Sequence, residues 1–187
     1  RGWRFQLSME LTRAAFDDLR RSIHRLCGIV LTEDKEYLVR HRLEPVVRLC
    51  GCRSFDEFRA KLSGAGAIQL QEAIISAITT QETAFFRDRH PFDALRQQIL
   101  PELVRSRRAA AGAPRRPIRI WCAAAATGQE PYSLAILIHE LAGASQPSGP
   151  KPEDFSIMAT DVSAKALATA RAAAYERRQV ERGLTGG

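Results

Sequence analysis

The chain has 187 residues, of which 45% are hydrophobic, enough for one domain or two small ones with a buried core. No apolar run is long enough to cross a membrane, so the sequence predicts a cytoplasmic protein without membrane insertion. The net charge of +7 arises in the first two thirds, since residues 118–187 hold 7 basic and 7 acidic side chains, and such an excess suits an acidic partner.

Apolar periodicity predicts that the chain begins with helices. Ser8 is expected to cap the first helix, and Gly28 to end it. Thr32 is expected to cap the second helix, which Pro45 should kink or split because proline removes a backbone donor and crowds the preceding turn.

Two further helices complete the first region. Ser54 and Glu57 have the spacing of a capping box, and apolar residues recur at helical spacing from about Ala67 to Ile78. The pattern therefore predicts an all-helical domain over residues 1–77. Cysteines within it lack the spacing of a zinc site, and no metal is expected.

The second region contains two sequence segments that carry chemistry. Residues 78–88 read ITTQETAFFRD, and the helices that follow are expected to break at Pro101. Residues 118–133 read IRIWCAAAATGQEPYS, which predicts a buried strand over residues 118–122, a turn of small residues and a helix that Pro131 opens.

A second strand is predicted from Phe155 to Thr160, and it ends in Asp161. Strand, small-residue turn, helix and strand are typical of a nucleotide-binding unit, in which a terminal acidic side chain accepts hydrogen bonds from ribose hydroxyls. The turn lacks the G-x-G-x-x-G pattern, so an ordinary βαβ unit with a tight turn remains an alternative.

The order ITTQETAFFRD, ILP, IRIWCAAAATGQEPYS and ATDVS resembles the CheR family of S-adenosylmethionine-dependent chemoreceptor glutamate methyltransferases. The resemblance implies an α/β fold class: an all-helical N-terminal domain, then over residues 78–187 the first βαβ part of a Rossmann-like class I methyltransferase domain. Only two of that family's seven strands are predicted, so the chain is expected to be truncated.

The resemblance implies roles for five residues. Arg87 is expected to align the substrate carboxylate and, with Gln81 and Thr83, to contact the cofactor, although the family usually has Asn in place of Gln81. Glu130 is expected at the amino-acid end of the cofactor, and Asp161 at its ribose. Structural alternatives remain open: Arg87 paired with Asp88, and the two carboxylates as charges at helix N-termini.

The leading hypothesis is methyl transfer from S-adenosylmethionine to chemoreceptor glutamates, with S-adenosylhomocysteine as the product. One alternative is a related methyltransferase of a surface-sensing or pilus pathway, and another is a non-catalytic cofactor-binding or receptor-docking fragment. Nucleic-acid binding is disfavoured because aromatic residues amount to only 7% and lie mostly at apolar-periodic positions.

Two expectations concern protein partners. Arg40, Glu44 and Arg48 share a predicted helix face, and the resemblance implies that basic residues of this domain meet the helical bundle of the receptor. The strand over residues 118–122 is expected to be buried on both faces of a complete sheet. With later strands missing, its unpaired edge predicts that this chain dimerises.

Overall fold

A computed structural model describes residues 9–64, 66–109, 116–143 and 150–184. The chain divides into two units. The first comprises the residues up to Thr80 together with Val162–Ala164, and the second comprises the remainder. Each unit has its own hydrophobic cluster, so each is described by itself.

The first unit is helical, as predicted. Its helices are α1 (Arg13–Cys27), α2 (Glu36–Leu49), α3 (Phe55–Lys61) and α4 (Ala67–Ile78), with a 3₁₀ turn (Glu33–Lys35) before α2. Their apolar faces meet in a core in which five large side chains of α1 and α3 are almost fully buried: Phe16, Leu19, Ile23, Phe55 and Phe58. Burial of each such side chain stabilises the fold by roughly 1.5–3 kcal/mol relative to exposure.

Some helix ends in this unit follow the sequence prediction, whereas two predicted caps were wrong. Thr32 makes no capping hydrogen bond, because the 3₁₀ turn follows it and α2 begins only after Lys35. Gly28 ends α1 with φ of 74°, a left-handed conformation that glycine adopts at low cost. The Ser54 hydroxyl accepts a hydrogen bond from the Glu57 N–H, as the capping box predicts. The cap of α1, however, is Thr12, which accepts from the Ala15 N–H, whereas Ser8 lies outside the described residues.

Pro45 lies inside α2 and does not split it, contrary to one of the two expected outcomes. Val39, Leu43 and Val47 of the same helix are fully buried, so packing on both sides of the proline holds the helix together. Tertiary burial here outweighs the local cost of proline, which is about 3 kcal/mol.

The second unit is α/β. Its helices are α5 (His90–Ala94), α6 (Leu100–Ala109), α7 (Gln129–Gly143), α8 (Ala164–Ala172) and α9 (Arg177–Leu184), and its strands are β1 (Ile118–Ala123) and β2 (Phe155–Thr160). A π-helical turn (Leu95–Ile99) joins α5 to α6. The predicted break near Pro101 is therefore a widened helical turn just before the proline. In a regular helix the proline ring would clash with a carbonyl group of the preceding turn.

Strands β1 and β2 are parallel neighbours, and their register pairs Ile118 with Phe155 and Ala123 with Thr160. This confirms the predicted α/β class with two parallel strands. Burial on both faces of β1 is not found in the described structure. Side chains of β1 alternate, and Trp121, which is 65% exposed, pairs in register with Met158, which is 57% exposed.

Helix α9 was not predicted from the sequence. The helix extends to Leu184, which lines an apolar groove with Phe85 and Tyr175. Half of the residues of α9 are charged, and only Val180, Gly183 and Leu184 in it are partly buried, so its sequence gives little sign of packing.

Candidate functional site

The site is built where the two parallel strands end. Asp161 follows β2 directly, and its Oδ2 accepts a hydrogen bond of 2.8 Å from the Ala126 N–H in the turn after β1. The Ala125 N–H donates to the Thr160 carbonyl over 2.9 Å. These two bonds tie the carboxyl ends of both strands together. Open α/β sheets bind ligands at this edge.

The turn after β1 adopts an uncommon backbone conformation. Ala124 and Ala126 both have positive φ, of 60° and 48°, which side chains with a Cβ adopt only at a cost. Gly128 has φ of 97°, and a Cβ at this position would lie 2.8 Å from both the Ala170 Cβ and the Tyr175 hydroxyl. Glycine is thus required at position 128 because a side chain would collide with α8 and Tyr175. This reason is independent of any ligand that approaches the backbone.

Glu130 occupies the first turn of α7 and is exposed. Its carboxylate also influences the buried thiol of β1: burial, with a smaller effect of Glu130, raises the pKa of Cys122 to about 12. An acidic side chain in the first helical turn is stabilised by the helix dipole, so the structural alternative for Glu130 agrees with its position. Exposure leaves the same carboxylate accessible to a cationic ligand.

The segment over residues 81–89 is anchored by a hydrogen bond to α7 and by two aromatic rings. The Phe86 N–H donates to the Ser133 hydroxyl over 2.9 Å, and that hydroxyl donates to the Gln129 carbonyl over 2.7 Å. Phe85 is buried, and Phe86 packs against Phe92 with ring centroids 5.1 Å apart. Both phenylalanines therefore anchor the segment to the core of this unit.

Thr83 and Arg87 line one pocket of about 310 Å³, and Gln81 does not belong to its lining. Arg87 Nη1 donates to the Glu82 carbonyl over 2.8 Å. Its Nε lies 3.9 Å from the Asp88 carboxylate, which is the structural alternative expected for this arginine. The guanidinium is half exposed, so this long contact leaves it accessible from solvent.

Two residues missed by the sequence analysis join these parts. Ser133 links α7 to the segment that carries Thr83 and Arg87, and Tyr175 donates a hydrogen bond of 2.7 Å to the Thr127 carbonyl of the turn. The Tyr175 ring also meets Phe85 edge to face at 5.1 Å. Ser133 is the last residue of the segment 118–133 and Tyr175 lies outside both quoted segments, and the role of each is shown only by its long-range contacts.

Basic residues of the helical unit have different environments. Arg48 forms an ion pair of 2.6 Å with Glu44 within α2, and Arg42 donates to carbonyl groups at the end of α4. Among the described residues, Arg40 forms no ion pair. A cleft of about 880 Å³ between α1, α3 and the loop after α1 was not predicted; its lining includes Arg20, Arg21, His24, Arg25 and Arg59.

Neither a metal centre nor a membrane span is found in the described part of the chain. No three His, Cys, Asp or Glu side chains in it are grouped closely enough to hold an ion. None of the helices described combines the length and apolar composition that a bilayer crossing needs.

Comparison with known protein families gives two matches that together cover most of the chain. Residues 14–79 match the all-alpha domain of CheR methyltransferases, and residues 81–186 match their SAM binding domain. The boundary between the two matches coincides with the division between the structural units at Thr80 and Gln81.

Curated proteins that are similar to this chain are named chemotaxis protein methyltransferases. The chain is 38% identical over 179 residues to chemotaxis protein methyltransferase 1 of Pseudomonas aeruginosa, covering 95% of this chain and 61% of that protein. It is 39% identical over 170 residues to a chemotaxis protein methyltransferase of Vibrio parahaemolyticus, covering 91% and 58%. A Borreliella burgdorferi relative is 32% identical over 173 residues, covering 92% and 58%. The chain thus spans about three fifths of the length of these relatives.

Proposed function

Because the chain belongs to the CheR methyltransferase family, we propose that the whole protein transfers a methyl group from S-adenosylmethionine to glutamate side chains of chemoreceptors. The observation that carries this proposal is the hydrogen bond from Ala126 to Asp161, which holds an acidic side chain at the carboxyl edge of two parallel strands. That edge is where α/β folds bind adenosine-containing ligands.

The chemistry of the residues around the turn fits the cofactor. Asp161 supplies a carboxylate for ribose hydroxyls, and exposed Glu130 supplies a second for the cationic amino group of the methionine end. The intervening turn consists of alanine, threonine and glycine, which leave little bulk beside the backbone. Gln81 and Thr83 are proposed as further cofactor contacts, by their place in the family's sequence motif.

The bound cofactor supplies a methyl group on a positively charged sulfur. A glutamate is already ionised near neutral pH, so the chain needs no general base to activate it. Held by Asp161 and Glu130, the cofactor would supply the methyl group to one carboxylate oxygen, and its sulfur would keep the electron pair of the broken bond. The task left to the protein is alignment, and the planar fork of Arg87 is suited to hold a carboxylate.

The partner proposed for the helical unit is the cytoplasmic helical bundle of a chemoreceptor. Support comes from the basic side chains of α2, since positive charge beside glutamate-rich helices accelerates encounter. Arg40 is the strongest candidate, because Arg48 is paired with Glu44 and Arg42 donates to carbonyls of α4. A cytoplasmic location is part of the same proposal, because the receptor bundle that it names is cytoplasmic.

Calorimetry and a transfer assay test the proposal together. The natural full-length protein should bind S-adenosylhomocysteine and move labelled methyl groups to a chemoreceptor fragment. Binding without transfer to any receptor would favour a non-catalytic docking role. Transfer only to receptors of a surface-sensing pathway would favour the related methyltransferase. Absence of both binding and transfer would contradict the methyltransferase proposal.

Dimerisation of this 187-residue chain stays a prediction. The exposed sheet face around Trp121 and Met158 offers apolar surface to a second copy. Light scattering at tens of micromolar is expected to give twice the mass of one chain, and a monodisperse monomer would contradict it.

A further inference from the structure

Arg182, near the end of α9, lies at the same pocket as Arg87. The pocket is lined by residues 82–89 together with Arg182 and Gly183. Its ionisable side chains are three guanidinium groups, from Arg87, Arg89 and Arg182, and two carboxylates, from Glu82 and Asp88. The lining is therefore net positive, which favours an anionic group as its occupant.

The approach of α9 to this pocket depends on Gly183. A Cβ at Gly183 would overlap the Phe85 carbonyl, so no other residue fits here without movement of the backbone. The helix is held further by Tyr175, just before it, through the ring contact with Phe85 and the hydrogen bond to Thr127. A close and specific contact thus delivers the side chain before Gly183 to the pocket.

Arg182 differs from the other arginines of α9. Arg177 forms an ion pair of 2.5 Å with Glu181, and Arg178 forms one of 2.6 Å with Glu176. Within the described ranges, Arg182 has no carboxylate at ion-pair distance. The arginine of α9 that lines the pocket is thus the one without a carboxylate partner among the described residues.

The presence of Arg182 at the same pocket as Arg87 raises the question of which anion each of these two guanidinium groups would hold. A carboxylate has about four lone-pair sites, and a bidentate guanidinium occupies two of them. A second fork on the same carboxylate would occupy the electrons that form the new C–O bond. The second guanidinium is better suited to an acidic group beside the reacting one.

We propose that Arg182 is a specificity-determining residue that binds a second acidic side chain of the protein substrate, next to the glutamate held by Arg87. This inference rests on the proposed methyltransferase function. Arg182 would contact the substrate equally before and during reaction, and such uniform binding lowers KM without changing kcat.

Steady-state kinetics of the natural full-length protein with a receptor fragment test this role. Arg182→Gln should raise KM for the receptor about tenfold, the scale of one charge-assisted contact, with kcat within about twofold. Arg182→Lys should recover part of the loss, because a positive charge is retained. Arg178→Gln is the matched control on the same helix, since its side chain is 83% exposed and should leave KM unchanged.

A receptor variant completes the test. Replacement of the acidic residue beside the methylated glutamate by its amide should raise KM for the wild-type enzyme and have little further effect on Arg182→Gln. Equal effects in both enzymes, or an unchanged KM in Arg182→Gln, would overturn the proposal. Weakened S-adenosylhomocysteine binding in Arg182→Gln would overturn it too, in favour of a cofactor or folding role. A wild-type enzyme that methylates no receptor would instead overturn the function on which the inference rests.

Discussion

The Ala126 N–H and the Asp161 carboxylate, 35 residues apart in the sequence, are joined by a hydrogen bond of 2.8 Å. The bond gives Asp161 a structural task, which is to hold the turn after β1 against the end of β2. It also keeps the carboxylate at the ligand-binding edge of the sheet. The structural and the cofactor-binding roles of Asp161 are therefore compatible, and substitutions can separate them.

Asp161→Asn retains an oxygen that can accept from Ala126, whereas Asp161→Ala does not. Both variants are expected to weaken S-adenosylhomocysteine binding by on the order of 1–3 kcal/mol, but only Asp161→Ala should also lower the free energy of unfolding. Calorimetry and urea unfolding measure the two effects. Asp154→Asn, at the carboxylate before β2 that accepts from the Lys151 N–H, is the control. Unchanged affinity in both Asp161 variants would remove this residue from the cofactor site.

Arg87→Lys should lower the methylation rate by about ten- to a hundredfold while the protein stays folded. An ammonium group keeps the charge but cannot hold a carboxylate through two parallel hydrogen bonds, so alignment is lost. Rates with saturating receptor, compared with those of Arg178→Lys, measure the effect. A lysine variant that methylates receptors at the wild-type rate would refute the aligning role and leave Arg87 as the partner of Asp88.

Reversal of charge at Arg40 and Arg48 should slow receptor methylation more at low salt than at high salt. Salt screens charges beyond about 10 Å at 0.1 M, so an encounter driven by exposed charge loses its advantage as salt rises. Arg40→Glu is expected to have the larger effect because Arg48 is already paired with Glu44. Arg105→Glu in α6 serves as the control. Losses of equal size at both salt concentrations would indicate misfolding or a chemical role.

Tyr175→Phe should lower the free energy of unfolding of the second unit by about 1 kcal/mol, because it removes the donor to the Thr127 carbonyl and leaves its ring contacts in place. Tyr37→Phe, at an exposed tyrosine of α2, is the matched control. Urea unfolding measures both variants. If Tyr175→Phe is as stable as the wild type, the hydrogen bond does not hold the turn.

We expect the free energy of unfolding to fall at high pH because of Cys122. Its pKa is raised from an ordinary value of 9.0 to about 12, mainly by burial, so the folded state keeps the proton in a range where the unfolded chain loses it. The stabilisation is fully present below pH 9 and is lost as pH rises towards 12. Unfolding of the wild type and of Cys122→Ser, compared across that range, isolates the contribution. If the unfolding free energies of the two proteins change in parallel with pH, the thiol has an ordinary pKa and the prediction is wrong. Rapid labelling of native Cys122 by a thiol reagent at pH 8 would lead to the same conclusion.

Local rules account for the parts of this protein that could be predicted from sequence. Gly28 ends α1, Ser54 begins α3 and β2 runs from Phe155 to Thr160 because each depends on residues within a few positions of one another. The family's motifs also indicated the methyltransferase assignment. The cap of α1 is Thr12, whereas Ser8 was predicted, because several polar residues near the start of a helix can serve as its cap.

Contacts between distant residues were decided only by the tertiary structure. Tyr175 and Thr127 are 48 residues apart, and Gly183 packs against Phe85 across nearly a hundred. Such pairs produce no periodic pattern in the sequence, because one member of each is a single tyrosine or glycine in a charged segment. The exposure of Trp121 likewise depends on which elements cover that face of the sheet, and not on the apolar sequence of β1. Sequence therefore determined the elements and the chemistry available, and packing determined which side chains, Arg87 and Arg182 among them, share a pocket.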